Sequence, residues 1–463
     1  MSTAPTAPSL PSPATRGRVG VEADHDAPTP TLSIFDATMI TVGIVIGAGI
    51  FETPVLVAGI AGSPVPMLIA WVLGGALSFI GALTYAELAT TYPSAGGDYT
   101  FLTRAYGKSV SFLFAWARST VICTGSIALL GFILGDYLSR LFPLGEHSSA
   151  LYAAGAVLLL TAVNLVGLKG SSRMQNAFAI VEIGGVIAVA VAALTLGGDT
   201  SAPMIAETAP ATSSSAFGLA MVFVLLTYGG WNEAAYVSAE VRGGPRAVLR
   251  TLLLSIAIIT AVYLLFVCGV LYGLGFEALK SSHAVGVDVA ERAGGPVGAQ
   301  LVGLLVAVSS LTSMNSTMIA GARTNYSVAH DWSALSFMGQ WQGLRSTPAM
   351  GFIVQAGIAL ALIVFGALEK DGFAAMVEFT APVFWLFFML SGVALFILRS
   401  RDPAAQRPFR VPLYPVLPIA FVLSCAYVLY SSIVHAQTEH ATYVAFAVML
   451  TGAIALLLLR RRR

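Results

Sequence analysis

Twelve stretches of about 20 apolar residues, the length an α-helix needs to cross a hydrocarbon core, recur along this 463-residue chain. They run Ile34–Ala58, Pro66–Thr90, Val110–Leu141, Ala150–Leu168, Asn176–Leu196, Ala216–Glu240, Thr251–Leu274, Val297–Ala320, Pro348–Leu368, Phe373–Leu398, Pro412–Ile433 and Ala441–Leu459. Inside a bilayer every backbone N–H and C=O must be satisfied by the protein itself, so runs of this length fold as helices. The connections are short and leave no sizeable soluble domain. Charged residues make up 10% and hydrophobic residues 57%, against roughly 25% and 45–50% in soluble proteins. So little charge cannot cover a water-exposed surface, which excludes a soluble enzyme, a nucleic-acid binder and a disordered scaffold.

Residues 1–30 are rich in Pro, Ala, Ser and Thr and are expected to form a disordered cytoplasmic tail. They lack the apolar core of a signal peptide, so the first span is expected to act as the insertion signal. Net charge is only +1, and the position of the cations is what informs. With the N-terminus inside, the inner segments hold 19 of the 24 Lys and Arg, the outer ones hold Arg140, Lys280, Arg292 and Lys370, and Arg118 lies within a span. Retention of Lys and Arg on the cytoplasmic side then predicts an inner-membrane protein with both termini cytoplasmic. Cys123, Cys268 and Cys425 fall in apolar runs and imply neither disulfide nor metal site. All six histidines (His25, His147, His283, His330, His435, His440) are placed in loops or the tail, which argues against intramembrane haem and a HExxH site. No cofactor is implied, and no GxxxxGK[ST] loop is present for ATP drive.

Two spans carry glycine clusters at mid-length. The first reads Gly43-Ile44-Val45-Ile46-Gly47-Ala48-Gly49-Ile50-Phe51, with Pro54 beyond; the sixth reads Thr227-Tyr228-Gly229-Gly230-Trp231-Asn232-Glu233. Their ordinal positions are five apart, the offset of a five-plus-five inverted repeat, and interrupted helices at matching places point to a transporter's binding site. An unwound turn frees N–H groups on one side and C=O groups on the other. The helix start beyond it suits a carboxylate, and the freed carbonyls suit an ammonium, so the pair can hold a zwitterion such as an α-amino acid. The Gly43-xxx-Gly47 spacing also serves close helix packing. The pairing with the sixth span favours the substrate-site reading.

At these residues the sequence resembles the amino acid–polyamine–organocation superfamily and is most similar to its L-amino-acid transporter branch. The first-span run, Tyr85-Ala86-Glu87-Leu88 with Tyr92-Pro93 through Gly96-Gly97-Asp98-Tyr99, Thr161 to Asn164, Arg173 to Phe178, Tyr228 to Asn232 with Glu240 and Arg246-Ala247, and Arg407 to Pro412 carry the likeness in family order. The resemblance implies an all-α membrane protein of the leucine-transporter type. Residues 31–200 would form the first repeat and 213–400 the second, with two peripheral helices and a basic C-terminus in 401–463. It also implies a substrate site over Val45, Ile46, Gly47, Ala48, Gly49, Ile50, Leu226, Thr227, Tyr228, Gly229, Gly230 and Trp231. The carboxylate would meet the N–H groups of Ala48 and Gly49. The ammonium would meet the carbonyls of Val45, Leu226 and Thr227. Leu226 stands where the branch has an aromatic gating residue, and Ala48 where it often has Ser.

The resemblance further places Glu182 where the sodium-independent branch has a lysine beside helices one and eight. The eighth span is polar there, with Ser309, Ser310, Thr312, Ser313, Asn315, Ser316 and Thr317. A carboxylate among hydroxyls is hard-ligand chemistry. Glu182 is therefore expected to couple transport to H⁺, less so to Na⁺, with Asn232, Glu233, Ser316 and Thr317 as further coupling or gating residues. Glu87 and Arg118, near the inner ends of their spans, are read as structural ion-pair groups. Glu233 reads equally as a gate or a helix-start carboxylate. Glu240 with Arg242, Arg246 or Arg250 reads as an inner gate or as interfacial charge. Trp231 is either an occluding or a packed aromatic. Glu378 and Asp136 face the outer side without a role, and Arg460 to Arg463 anchor the inner end.

Taken together these features predict a secondary transporter of small neutral L-amino acids working by alternating access in the lipid bilayer, with proton symport favoured over exchange. A polyamine or organic-cation permease would need more carboxylates in the pocket. A receptor would need a sensing domain, and an intramembrane enzyme would need His or paired Asp within spans.

Overall fold

A computed structural model describes residues 32–94, 96–166, 172–196, 213–236, 238, 241–332, 349–434 and 439–461. Helix dominates, and among the described residues the sole β-type pairing is one parallel bridge between Leu32 and Val241. Eleven helical segments are long and apolar enough to cross a membrane, and a bent pair in the first span makes a twelfth. The tail of residues 1–30, Glu240 and Arg462–Arg463 lie outside the described residues.

The first span is α1 (Ile34–Val45) and α2 (Gly49–Ala61), bent by 44°. The second is α3 (Pro64–Thr91), followed by a short helix outside the spans, α4 (Asp98–Tyr106). The third comprises α5 (Lys108–Ala117), a π-helical turn (Arg118–Ile122) and α6 (Cys123–Leu141). The fourth and fifth are α7 (Ser148–Val166) and α8 (Ser172–Thr195). The sixth is α9 (Ser214–Thr227) with a 3₁₀ turn (Trp231–Ala235). The seventh is α10 (Gly244–Leu274); α11 (Phe276–Lys280) leads into α12 (Val285–Asp331), bent at Gly295, whose longer arm is the eighth. The last four are α13 (Ala349–Gly366), α14 (Gly372–Arg401), α15 (Val416–Val434) and α16 (Glu439–Arg461).

Local signals set several ends. Ser33 and Asp36 form a reciprocal capping box at the start of α1, and Ser213 and Asp371 cap α9 and α14. Small residues let helices touch. A Cβ on Gly269 or Gly273 of α10 would run into the backbone of Ala190 or Ala193 of α8, the close packing expected in a bilayer.

Three expectations are corrected. The sixth span does not run on as helix toward Glu240, because the Gly229-Gly230 pair ends α9 at Thr227 and tightens the residues beyond it into a 3₁₀ turn. The seventh starts at Gly244, seven residues before the expected Thr251, because Pro245 suits a first helical turn. The histidines are not all in loops: His330 lies in the last turn of α12 and His440 in the first turn of α16.

Candidate functional site

In the first break, Ile46 N–H reaches back to Val42 O (2.7 Å) and Gly47 N–H to Val45 O (2.8 Å). After it, Ile50 and Phe51 N–H turn onto the carbonyls of Gly47 (3.4 Å) and Ala48 (3.0 Å). Among the described residues this leaves the N–H groups of Ala48 and Gly49 as the unclaimed donors at the start of α2, where a helix has no internal partners to offer. The two glycines of the GxxxG spacing face different spans. A Cβ on Gly43 would meet Ala179 at 2.9 Å, a packing contact with the fifth span. A Cβ on Gly47 would meet the Ser313 hydroxyl of the eighth span at 3.0 Å, and that hydroxyl has no partner among the described residues.

The sixth-span break lies against the first. Tyr228 and Gly229 N–H donate to Val224 O and Leu226 O, each at 2.9 Å. Gly230 then turns left-handed at φ 103°, and its missing side chain faces Val45 and Ile44 at 3.2 and 3.3 Å. The Thr53 and Thr227 hydroxyls join α2 to α9 at 2.6 Å.

One residue absent from the sequence reading bridges the breaks. The Tyr263 hydroxyl of α10 stands 2.6 Å from Val45 O and 3.1 Å from Thr227 O, sharing its proton between them. All three carbonyls assigned to the ammonium are already engaged: Val45 O accepts two hydrogen bonds, from Gly47 N–H and Tyr263, Leu226 O accepts one from Gly229, and Thr227 O one from Tyr263. Leu226 O and Thr227 O each keep a second lone pair, whereas both lone pairs of Val45 O are taken.

A cavity of about 1200 Å³, its mouth included, lies beside the breaks. Val45, Gly47, Gly49, Leu226, Thr227, Gly229, Gly230, Asn232, Glu233, Ser316 and Thr317 line it, as the sequence reading groups them. Its other walls are Ile122, Cys123, Ser126, Leu129 and Leu130 of the third span and Phe373, Val377, Thr380 and Phe384 of the tenth. Ile46, Ala48, Ile50, Tyr228 and Trp231 do not line it; all five are buried in the helix packing. Tyr228 rests on Trp71 and Tyr263. Trp231 packs against Tyr85, Phe388 and Phe421.

Among the described residues two charged side chains line the cavity, and they neutralise each other. Arg118 Nη2 donates to both oxygens of Glu233, at 2.8 and 3.0 Å. Arg118 Nε donates to Thr324 (3.2 Å), and its guanidinium lies over the Tyr236 ring at 4.5 Å. The π-helical turn sets Arg118 on this face; such insertions frequently mark functional positions. Glu87 and Arg118 are both ion-paired, though not with each other. Glu87, fully buried, takes Arg399 (2.5 Å), Arg407 (3.6 Å) and the Val411 N–H (2.7 Å).

Glu182 lies outside the cavity wall, buried between the fifth and eighth spans, where Ser309 Oγ donates to its Oε1. Among the described residues no cation lies within salt-bridge distance of it. Along the eighth span, Asn315 accepts from Asn164 at 2.7 Å while Thr312 bonds its own helix on an exposed face, so only part of that polar run faces inward. The sequence reading also missed Glu52, whose Oε1 in the first turn of α2 is buried without a hydrogen-bond partner among the described residues. The signal was an acid inside an apolar run, a functional candidate by default.

The amino acid permease profile matches residues 32–456. The human b(0,+)-type amino acid transporter 1 is 28% identical over 424 residues, covering 90% of this chain and 85% of the relative. The serine/threonine exchanger SteT of Bacillus subtilis (strain 168) is 26% identical over 407 residues, 87% of this chain and 91% of the relative. The human cystine/glutamate transporter is 27% identical over 430 residues, 92% and 84%. All three are named as transporters or exchangers rather than enzymes. With its broken first and sixth spans and its profile match over nearly the whole length, this multi-pass membrane protein belongs to the amino acid permease family.

Proposed function

We propose that the permease moves small neutral L-amino acids across the cytoplasmic membrane by alternating access, with both termini cytoplasmic and with residues 31–200 and 213–400 as inverted repeats. The observation that carries this is the unclaimed pair of N–H groups at Ala48 and Gly49, beside a cavity whose two charged residues cancel. The N–H pair with the positive end of α2 suits a carboxylate; the second lone pairs of Leu226 and Thr227 suit the ammonium, and Val45 O would receive it in place of one of its two present donors. Largely apolar walls from the third and tenth spans suit a neutral side chain. A polyamine would need carboxylates free to receive it, and Glu233 is held by Arg118.

Proton symport rests on Glu182, a buried carboxyl bonded by Ser309 with no cation to neutralise it among the described residues. Burying a charge without a counter-ion is costly, so a proton that comes and goes with the cycle is the economical occupant. Exchange is the second reading, favoured by the relative named as an exchanger. The test is uptake into proteoliposomes with a competition panel of amino acids and polyamines, with and without imposed H⁺ and Na⁺ gradients. Neutral amino acids should compete and polyamines should not. An inward H⁺ gradient should accelerate uptake by wild type and not by Glu182→Gln. Uptake that needs a loaded lumen and ignores both gradients identifies an exchanger, and competition by polyamines alone overturns the amino acid reading.

A further inference from the structure

The segment between the second and third spans takes no part in the cavity, yet it holds a densely bonded carboxylate. Asp98 opens α4 and is buried at 3% exposure. Its Oδ1 accepts from the Tyr85 hydroxyl of α3 (2.6 Å) and the Ser391 hydroxyl of α14 (2.8 Å). Its Oδ2 accepts from the Tyr236 hydroxyl (3.2 Å) and from Asn232 Nδ2 (3.3 Å). An ionised carboxylate offers about four lone-pair sites, and here each has a donor. Among the described residues no Lys, Arg or His pairs with it. The charge is thus satisfied by four directional bonds drawn from the second, sixth and tenth spans.

Two of those donors belong to the short stretch after the sixth-span break. Asn232 lines the cavity, and Tyr236 lies beneath the Arg118 guanidinium that grips Glu233. The loop is pressed close: a Cβ on Gly97 would stand 2.6 Å from the Tyr236 ring. A continuous polar connection therefore runs from the cavity wall to Asp98, on the side of the bundle where the first span begins.

We propose that Asp98 is the positioning residue of the cytoplasmic closure, its carboxylate holding the post-break stretch of the sixth span against the second and tenth spans and sealing the cavity on that side. The assignment rests on the alternating-access and orientation reading above. Opening inward requires Asn232 and Tyr236 to leave Asp98 and water to take their place.

Cys123 lines the cavity and serves as a native reporter. In a Cys268→Ser, Cys425→Ser background, its labelling by a membrane-impermeant methanethiosulfonate is followed in inside-out and right-side-out vesicles. Asp98→Ala should raise the labelling rate from the cytoplasmic face by at least about tenfold and lower it from the outer face, since loss of several bonds to a charge shifts a closed–open equilibrium by that order. Asp98→Asn should fall between, because the hydroxyls and the Asn232 amide can turn to meet an amide. Tyr85→Phe and Tyr236→Phe each remove one donor, should give smaller rises, and carry the test where Asp98→Ala does not fold. Equal rises at both faces, or no change in any of these variants, overturns the assignment. Labelling needs no substrate, so its failure is separable from failure of the uptake experiment.

Discussion

Arg118 and Glu233 meet at the cavity wall with side chains 6% and 20% exposed. Glu233→Gln keeps an oxygen for Arg118 to donate to and removes only the charge. Breaking a fully buried ion pair from one side costs about 3–5 kcal/mol, because the partner is left uncompensated. Glu233 is one-fifth exposed, so screening reduces the expected loss to about 2–3 kcal/mol. Adding Arg118→Met removes the stranded cation. It forfeits the Thr324 hydrogen bond and the contact with the Tyr236 ring, together about 1–2 kcal/mol. The double variant should therefore be more stable than Glu233→Gln alone, by about 1 kcal/mol. The assay is the fraction of detergent-solubilised protein that stays monodisperse after heating. Midpoints are compared at one heating rate, since such unfolding is commonly irreversible. The expected order is wild type, then the double variant, then Glu233→Gln. Additive losses, with the double variant lowest, would show that the two charges do not act as a pair.

Three other outcomes rest on the same geometry. Gly230→Ala forces a side chain into a left-handed position at φ 103°, 3.2 Å from Val45; the strain of about 1–2 kcal/mol should slow uptake at unchanged membrane abundance, and wild-type uptake would count against a tight fit between the breaks. Glu87→Gln leaves Arg399 and Arg407 facing a neutral amide and should cost about 3 kcal/mol, seen as lower yield and melting midpoint. An amine lacking the carboxylate should compete for uptake far more weakly than a 2-hydroxy acid lacking the ammonium. The N–H groups of Ala48 and Gly49 are unclaimed, whereas Tyr263 and Gly229 already occupy the opposing carbonyls; the reverse order of competition would overturn that asymmetry.

The spans and the positions of both breaks were legible because each rests on a local property, apolar length in one case and glycine clusters in the other. The partners of the charges were not. Glu87 pairs with Arg399, 312 positions away, and Arg118 with Glu233, 115 away, and spacing along one helix says nothing about which face a distant helix turns toward it. Tyr263 reads as one more aromatic in an apolar run until its hydroxyl is seen between two carbonyls. Asp98 was visible only as part of a motif, without the donors that give it meaning. Trp231 had two even readings in sequence, and its three aromatic neighbours come from other helices, which spacing within one span cannot foretell.

The two breaks run on into different structures, a 13-residue helix after the first and a short 3₁₀ turn after the sixth, and the difference bears on which of them moves. Irregular backbone at membrane depth survives only where protein or cavity satisfies it. Both breaks close some of their own bonds, Gly47 N–H onto Val45 O at the first and Gly229 N–H onto Leu226 O and Glu233 N–H onto Gly230 O at the sixth, and Tyr263 takes a carbonyl of each, Val45 and Thr227. Beyond Trp231 this stretch is tied to its surroundings largely by side chains, at Asp98, Arg118 and the aromatic cluster. The first break leaves its donors at the start of a helix that continues for 13 residues, packed along α9. Donors fixed to a packed helix make an anchor, and a short 3₁₀ stretch held by side-chain bonds makes a movable wall. On the transport reading, the substrate carboxylate is therefore read at the first span, while the sixth span supplies the motion that its neighbours in the loop restrain.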